Sequence, residues 1–111
     1  MCRIRHTLVA MALTMSALAL AASPRPAGAE TLHLAISGMA FGVAPMAVHV
    51  GDVIEWANRD FVAHTATARD GDFDVTIPAG KSGQITLRHA GGTPFYCRFH
   101  PNMKATFDVA P

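Results

Sequence analysis

Tyr96-Cys97-Arg98-Phe99-His100-Pro101-Asn102-Met103 sets a thiol, an imidazole and a thioether at two-residue separations. Phe95 and Cys97 share one phase before it, and Ala105, Phe107 and Val109 share one phase after it. The segment therefore reads as a short loop between two β-strands. The same period of two runs back through the chain, in Leu32, Leu34 and Ile36, in Val48 and Val50, and in Ile54, Trp56 and Asn58. It continues in Phe73, Val75 and Ile77 and in Ile85 and Leu87. Each run is short and bounded by Gly, Pro, Asn or Asp, as half-buried antiparallel strands are. About seven such runs predict an all-β sandwich or small barrel. Residues 38–45 lack the alternation and read as a loop, and no pattern suggests a helix or a second domain.

The first 29 residues are a different object. Arg3, Arg5 and His6 precede an apolar run over residues 7–22, which Pro24 and Pro26 close before Ala27-Gly28-Ala29. A basic start, an apolar centre and a small-x-small end make residues 1–29 a predicted secretory signal peptide. The run is short for a membrane span, which takes about 20 residues. Cleavage would leave residues 30–111 as the domain, exported to the periplasm, with no membrane span.

That domain carries six Lys and Arg against eight Asp and Glu, a net charge of −2. Non-specific nucleic-acid binding is excluded as a main role, because phosphate contact needs a basic face. A domain of this size buries only about 60–65% of its unfolded surface, and exported domains commonly add disulfides. Here Cys2 leaves with the leader and Cys97 is alone, so no internal disulfide can form. A lone thiol in an oxidising compartment calls for a metal, a catalytic role or an intermolecular bond.

Thiolate with imidazole suits a soft or borderline metal, and a nearby thioether adds little for zinc but much for copper. Two histidines and a cysteine in a trigonal set, with a weak axial methionine, form a blue-copper site. The second histidine must come from elsewhere. His64 fits best, because it opens a strand after a loop and Cys97 closes one, so both can lie at one end of the sandwich. His33 and His49 fall on the polar phase of their strands, and His89 sits in a Gly-rich turn. A Cys97–His64–Asp60 nucleophile has no helix N-terminus to activate its thiol and leaves Met103 without a part. Asp70, Asp72 and Asp74 resemble the opening of a calcium loop, but Val75 and Lys81 occupy its glycine and glutamate positions. They read instead as a solvated turn and strand face.

Gly51-Asp52-Val53-Ile54-Glu55-Trp56-Ala57-Asn58, His64 and the Cys97–Met103 loop together resemble the cupredoxins, with the short loop spacing of amicyanin and pseudoazurin. The resemblance covers nearly all of residues 30–111 and implies a small Greek-key β-sandwich. It implies one copper ion held by His64, Cys97 and His100, with Met103 as the long axial ligand. Asn58, six residues before His64, is similar to a family asparagine whose side chain ties the two ligand loops together. The implied role is a one-electron carrier, not an enzyme, working as a monomer that docks transiently. Its partner would be a c-type cytochrome or a periplasmic dehydrogenase or other oxidoreductase. The alternative is a periplasmic copper carrier or copper-resistance protein. The electron port implied is His100, flanked by Phe99 and Pro101, with Phe61 and Val62 beside it and Arg59, Arg98 and Lys104 as a basic rim.

Overall fold

The computed structural model describes Ala19 and residues 30–43 and 47–111; the predicted leader, apart from Ala19, lies outside the described residues. Nine strands follow one another: β1 Thr31–Ser37, β2 Ala40–Phe41, β3 Val48–His49, β4 Val53–Asn58, β5 His64–Ala68, β6 Asp74–Ile77, β7 Ser82–Thr86, β8 Gly91–Tyr96 and β9 Lys104–Ala110. One sheet has the order β2-β1-β4-β7 and the other β3-β9-β8-β5-β6. The β1–β4 and β3–β9 pairs are parallel and the rest antiparallel. The chain passes between sheets at β2–β3, β3–β4, β4–β5, β6–β7 and β7–β8, so two layers are woven together in the Greek-key manner. The fold is the expected all-β sandwich. No helix forms among the described residues, and none is long and apolar enough to cross a membrane.

The alternation decides which faces meet. Along β4, Ile54, Trp56 and Asn58 are buried while Val53, Glu55 and Ala57 are half-buried. Trp56 crosses the gap between layers, with its ring 5.6 Å from Phe95, 6.0 Å from Phe107 and 6.1 Å from Phe73. Phe95 and Phe107 stack at 4.7 Å. Such pairs add about 0.5–1.5 kcal/mol each beyond the apolar area they bury. The Trp56 indole N–H has no partner, a cost of about 1–3 kcal/mol that this apolar cluster offsets. At the β6–β7 edge, a Cβ on Gly83 would lie 3.0 Å from the Ile77 side chain and 3.1 Å from that of Val75, so a larger residue there would make those side chains shift by a few tenths of an ångström.

The loop reading of residues 38–45 needs correction. Ala40 and Phe41 pair with Ser37 and Ile36 as a short edge strand, and Phe41 packs on Phe95 at 4.8 Å. Two residues are too few for a period to show, and the ring contact stabilises the pairing.

Candidate metal centre

The register of β5 on β8 (Thr67 opposite Tyr96, Ala68 opposite Phe95) brings the start of β5 beside the end of β8. His64 is the first residue of β5, and Cys97 follows the last residue of β8. The loop after Cys97 is closed by its own backbone. The His100 amide donates to the Cys97 carbonyl at 3.3 Å, the Met103 amide to the His100 carbonyl at 2.8 Å, and the Cys97 amide to the Met103 carbonyl at 2.9 Å. This winding places the Cys97 sulfur 3.6 Å from His100 Nδ1 and 3.8 Å from His64 Nδ1. The two imidazoles meet edge to face at 5.1 Å. All three donor atoms lie within 4.8 Å of one another.

Those separations suit a single ion with bonds of about 2.0–2.3 Å to nitrogen and sulfur. Two imidazole nitrogens and one thiolate are a donor set that takes copper, and the group can hold one copper ion. His64 and Cys97 are fully buried and His100 half-buried, so the donors sit under the surface with one edge towards solvent. Met103 is buried in the same apolar cluster as Cys97.

Asp60 fixes the orientation of His64. Its carboxylate accepts from His64 Nε2 at 2.8 Å, leaving the lone pair of Nδ1 on the side of Cys97. The same carboxylate accepts from the Gly38 and Met39 amides at 2.8 and 2.9 Å. These two residues turn β1 into β2 with φ of 60° and 61°, a left-handed conformation that is costly for methionine. The Met39 amide, then the His64 imidazole, hold the Asp60 carboxyl below the usual carboxylate range.

Cys97 is under opposing influences. Burial pushes its thiol up, but the amide of Thr65, the two imidazoles and the Phe99 backbone bring it down from 9.0 to about 6. The Thr65 amide donates directly to the sulfur at 3.3 Å. Thr65 is held in turn by a directed chain of hydrogen bonds. Asp74 can only accept, so Thr67 donates to it at 2.7 Å, Thr65 donates to Thr67 at 3.0 Å, and the Arg98 amide donates to Thr65 Oγ1 at 2.8 Å. The Arg98 Nε donates to Asp74 at 3.1 Å and closes the ring. The Thr67 hydroxyl, with Arg98, holds the Asp74 carboxyl low against the opposing effect of burial.

Asn58 stands elsewhere than the sequence suggested. Its amide donates to the carbonyls of Val62, Ile77 and Pro78 at 2.8, 3.0 and 3.3 Å, and its Oδ1 accepts from the Asp60 amide at 3.0 Å. It ties the loop before His64 to the β6–β7 turn. The side chain joining the two ligand segments is that of Thr65, through the Arg98 amide. Asp74 likewise is more than a solvated face residue, since it anchors that ring. His33 is exposed beside Glu55 at 3.4 Å, His49 lies 3.8 Å from Asp52, and His89 lies 3.3 Å from Asp72. None of them joins the cluster.

Residues 8–109 match the model of the cupredoxin-like domain. The chain belongs to the cupredoxin-like family. This cupredoxin is 29% identical over 114 residues to the methylamine utilization protein MauL of Methylorubrum extorquens, covering 99% of this chain and 94% of the relative. Among solved structures, a reduced amicyanin variant superposes with a TM-score of 0.60 at 24% identity, over 71% of this chain and 81% of that one. The Cu(I) form of another amicyanin variant gives 0.60 at 22% identity over the same shares. These likenesses are of fold, and they set the cupredoxin sandwich beside the donor cluster described above.

Proposed function

We propose that this cupredoxin is a periplasmic one-electron carrier, exported by removal of residues 1–29, whose copper is held by His64, Cys97, His100 and Met103. The observation that carries the reading is the convergence of three donors under hydrogen bonds that reach them from outside the donor set. Copper bound there would supply a one-electron couple without bond making or breaking. The chain's own residues do the rest. Asp60 holds the His64 ring, the Thr65 amide shares the negative charge of the sulfur, and the 97–103 loop is wound on its own backbone. Donors held this way move little between charge states, which favours rapid electron transfer. Four protein donors leave no open position for a substrate, so the reading is a carrier and not an enzyme.

His100 is the one half-buried imidazole of the cluster, and Pro101 beside it is exposed. Phe61 is 100% exposed, Phe99 51%, Val62 45% and Met39 43%. Met39 and Pro101 line one hollow with His100, and Phe61, Val62 and Phe99 belong to the two ligand segments; exposed apolar side chains beside a half-buried ligand suit a small, transient protein interface. The partner would be a c-type cytochrome or a periplasmic dehydrogenase or other oxidoreductase. Full burial of His64 and Cys97 speaks against copper delivery, which needs exchangeable ligands. Voltammetry of the copper-loaded protein tests the choice. Reversible one-electron waves with copper retained support the carrier, and copper loss on each reduction contradicts it.

A further inference from the structure

We propose that the metal end of this cupredoxin is a cationic docking face suited to a redox protein with an acidic surface. The proposal rests on the carrier reading and names the chemistry of its partner. The net charge of residues 30–111 is −2, which by itself suggests repulsion from an acidic protein. The fold distributes that charge unevenly along the sandwich.

The metal end comprises the turns that follow β1, β4, β6 and β8. Exposed Arg59 follows β4, exposed Lys81 meets the Asn58 amide through its carbonyl, and exposed Lys104 opens β9 next to Met103. Arg98 is neutralised by its ion pair with Asp74. Only Asp60 opposes the three remaining cations, and its carboxylate is turned inward to the His64 ring and two amides. Those turns are therefore positive by two charges, and the Arg69 guanidinium over the Tyr96 ring, at the metal end of β8, adds to that side. At the opposite end lie Glu30, Asp52, Asp70, Asp72 and the far part of β9 with Asp108. Arg88 is the cation that faces them there, because Arg69 folds back over the Tyr96 ring at 4.5 Å. The acids dominate that end.

Six residues of β4 separate the two ends, roughly 20 Å at the rise of an extended strand. Screening at physiological salt acts over about 8 Å. A partner at the metal end thus meets Arg59, Lys81 and Lys104 around the apolar centre of Phe61 and Phe99, and the distant acids are screened from it. An acidic rim on the partner complements that ring and raises the encounter rate. The apolar centre fits a protein face better than a bare polyanion.

Two probes test this. The first is hexacyanochromate(III), a redox-inert paramagnetic trianion, added to the metal-free protein and followed by amide NMR, so that its outcome does not depend on electron transfer. The expected result is line broadening at Phe61, Phe99, Asn102 and Lys104 and none at Asp70 or Asp108. The double variant Lys81→Glu, Lys104→Glu should lose the broadening, and the far-end variant Arg88→Glu should keep it. Broadening elsewhere, or none, overturns the proposal. The second probe is hexacyanoferrate(III), which takes one electron from the reduced copper-loaded protein and becomes hexacyanoferrate(II). Its rate should fall on the order of tenfold as salt rises from about 10 to 200 mM. A rate that rises with salt follows the net charge and overturns the docking face while leaving the carrier reading intact. Failure of the reduced protein to be oxidised at any salt concentration counts against the carrier, and the chromium experiment still decides the charge of the face.

Discussion

The backbone amide of Thr65 donates to the sulfur of Cys97 across 3.3 Å, between residues 32 positions apart in the chain. The bond costs no side chain, because β5 already presents that amide to the end of β8. It removes negative charge from the thiolate. Whatever steadies Thr65 therefore steadies the electronic character of the donor.

Thr65→Val keeps that amide but removes the oxygen that accepts the Arg98 amide. That amide is only part-buried, so losing its acceptor costs about 1 kcal/mol, the low end for an orphaned N–H, and lowers the melting temperature of a domain this size by about 4–8 °C. The variant should melt lower and show a lowered reduction potential, while Thr65→Ser restores both. Differential scanning calorimetry and voltammetry check it.

How much of this could be read from residues alone differs by element. β4 and β9 were legible because one face is buried and the other is not, so the alternation survives intact. The Cys97–Met103 loop was legible as a donor set because its residue types are rare together. β5 was legible only as a strand that His64 opens. His-Thr-Ala-Thr-Ala shows no buried-exposed alternation, because all five residues are buried. The outer face of the strand is covered by Arg98 and Asp74, residues that no local pattern connects to it. The Asn58 expectation failed for a related reason. Its spacing to His64 fits a loop tie, but the carbonyls within its reach are those of Val62, Ile77 and Pro78. The paired Thr65-x-Thr67 hydroxyls directly after a ligand histidine were the available signal.

Asp60→Ala should weaken copper binding by about 10–100-fold, the usual cost of removing the partner that orients a ligand histidine. It also leaves the Gly38 and Met39 amides without their acceptor. Asp60→Asn should fall between the two, since its carbonyl oxygen can accept and its NH₂ cannot. Competition against a chelator of known affinity gives the values. Wild-type affinity in Asp60→Ala would show that the ring is oriented by packing alone.

The metal-free protein should gain stability from Cys97 as pH rises. Its thiol ionises near 6 when folded against 9.0 ordinarily, so the unfolded chain holds the proton through that interval. Lowered folded ionisation means the contribution is complete above the ordinary value, shrinks as pH falls and is gone below about 6. Urea unfolding of wild type and Cys97→Ser across this range should give a difference that widens with pH. A constant difference would contradict the charge-stabilised thiolate.

Pro101→Lys should slow electron self-exchange between oxidised and reduced copies, because it puts a further positive charge in the exposed apolar face beside His100, where two cationic faces must meet. The visible spectrum should barely change. NMR line shapes of partly oxidised samples report the rate. Unchanged exchange would place the port elsewhere on the surface.

Whether Cys97 holds the copper is decided by the visible absorption spectrum of the Cu(II)-loaded protein, compared with that of Cys97→Ser. Thiolate bound to Cu(II) gives intense charge-transfer absorption, and serine cannot. The wild type should be strongly coloured, and the variant colourless with its β-sheet circular dichroism retained. A Cys97→Ser protein that keeps the colour, or a wild type that binds Cu(II) without it, would contradict copper held by Cys97.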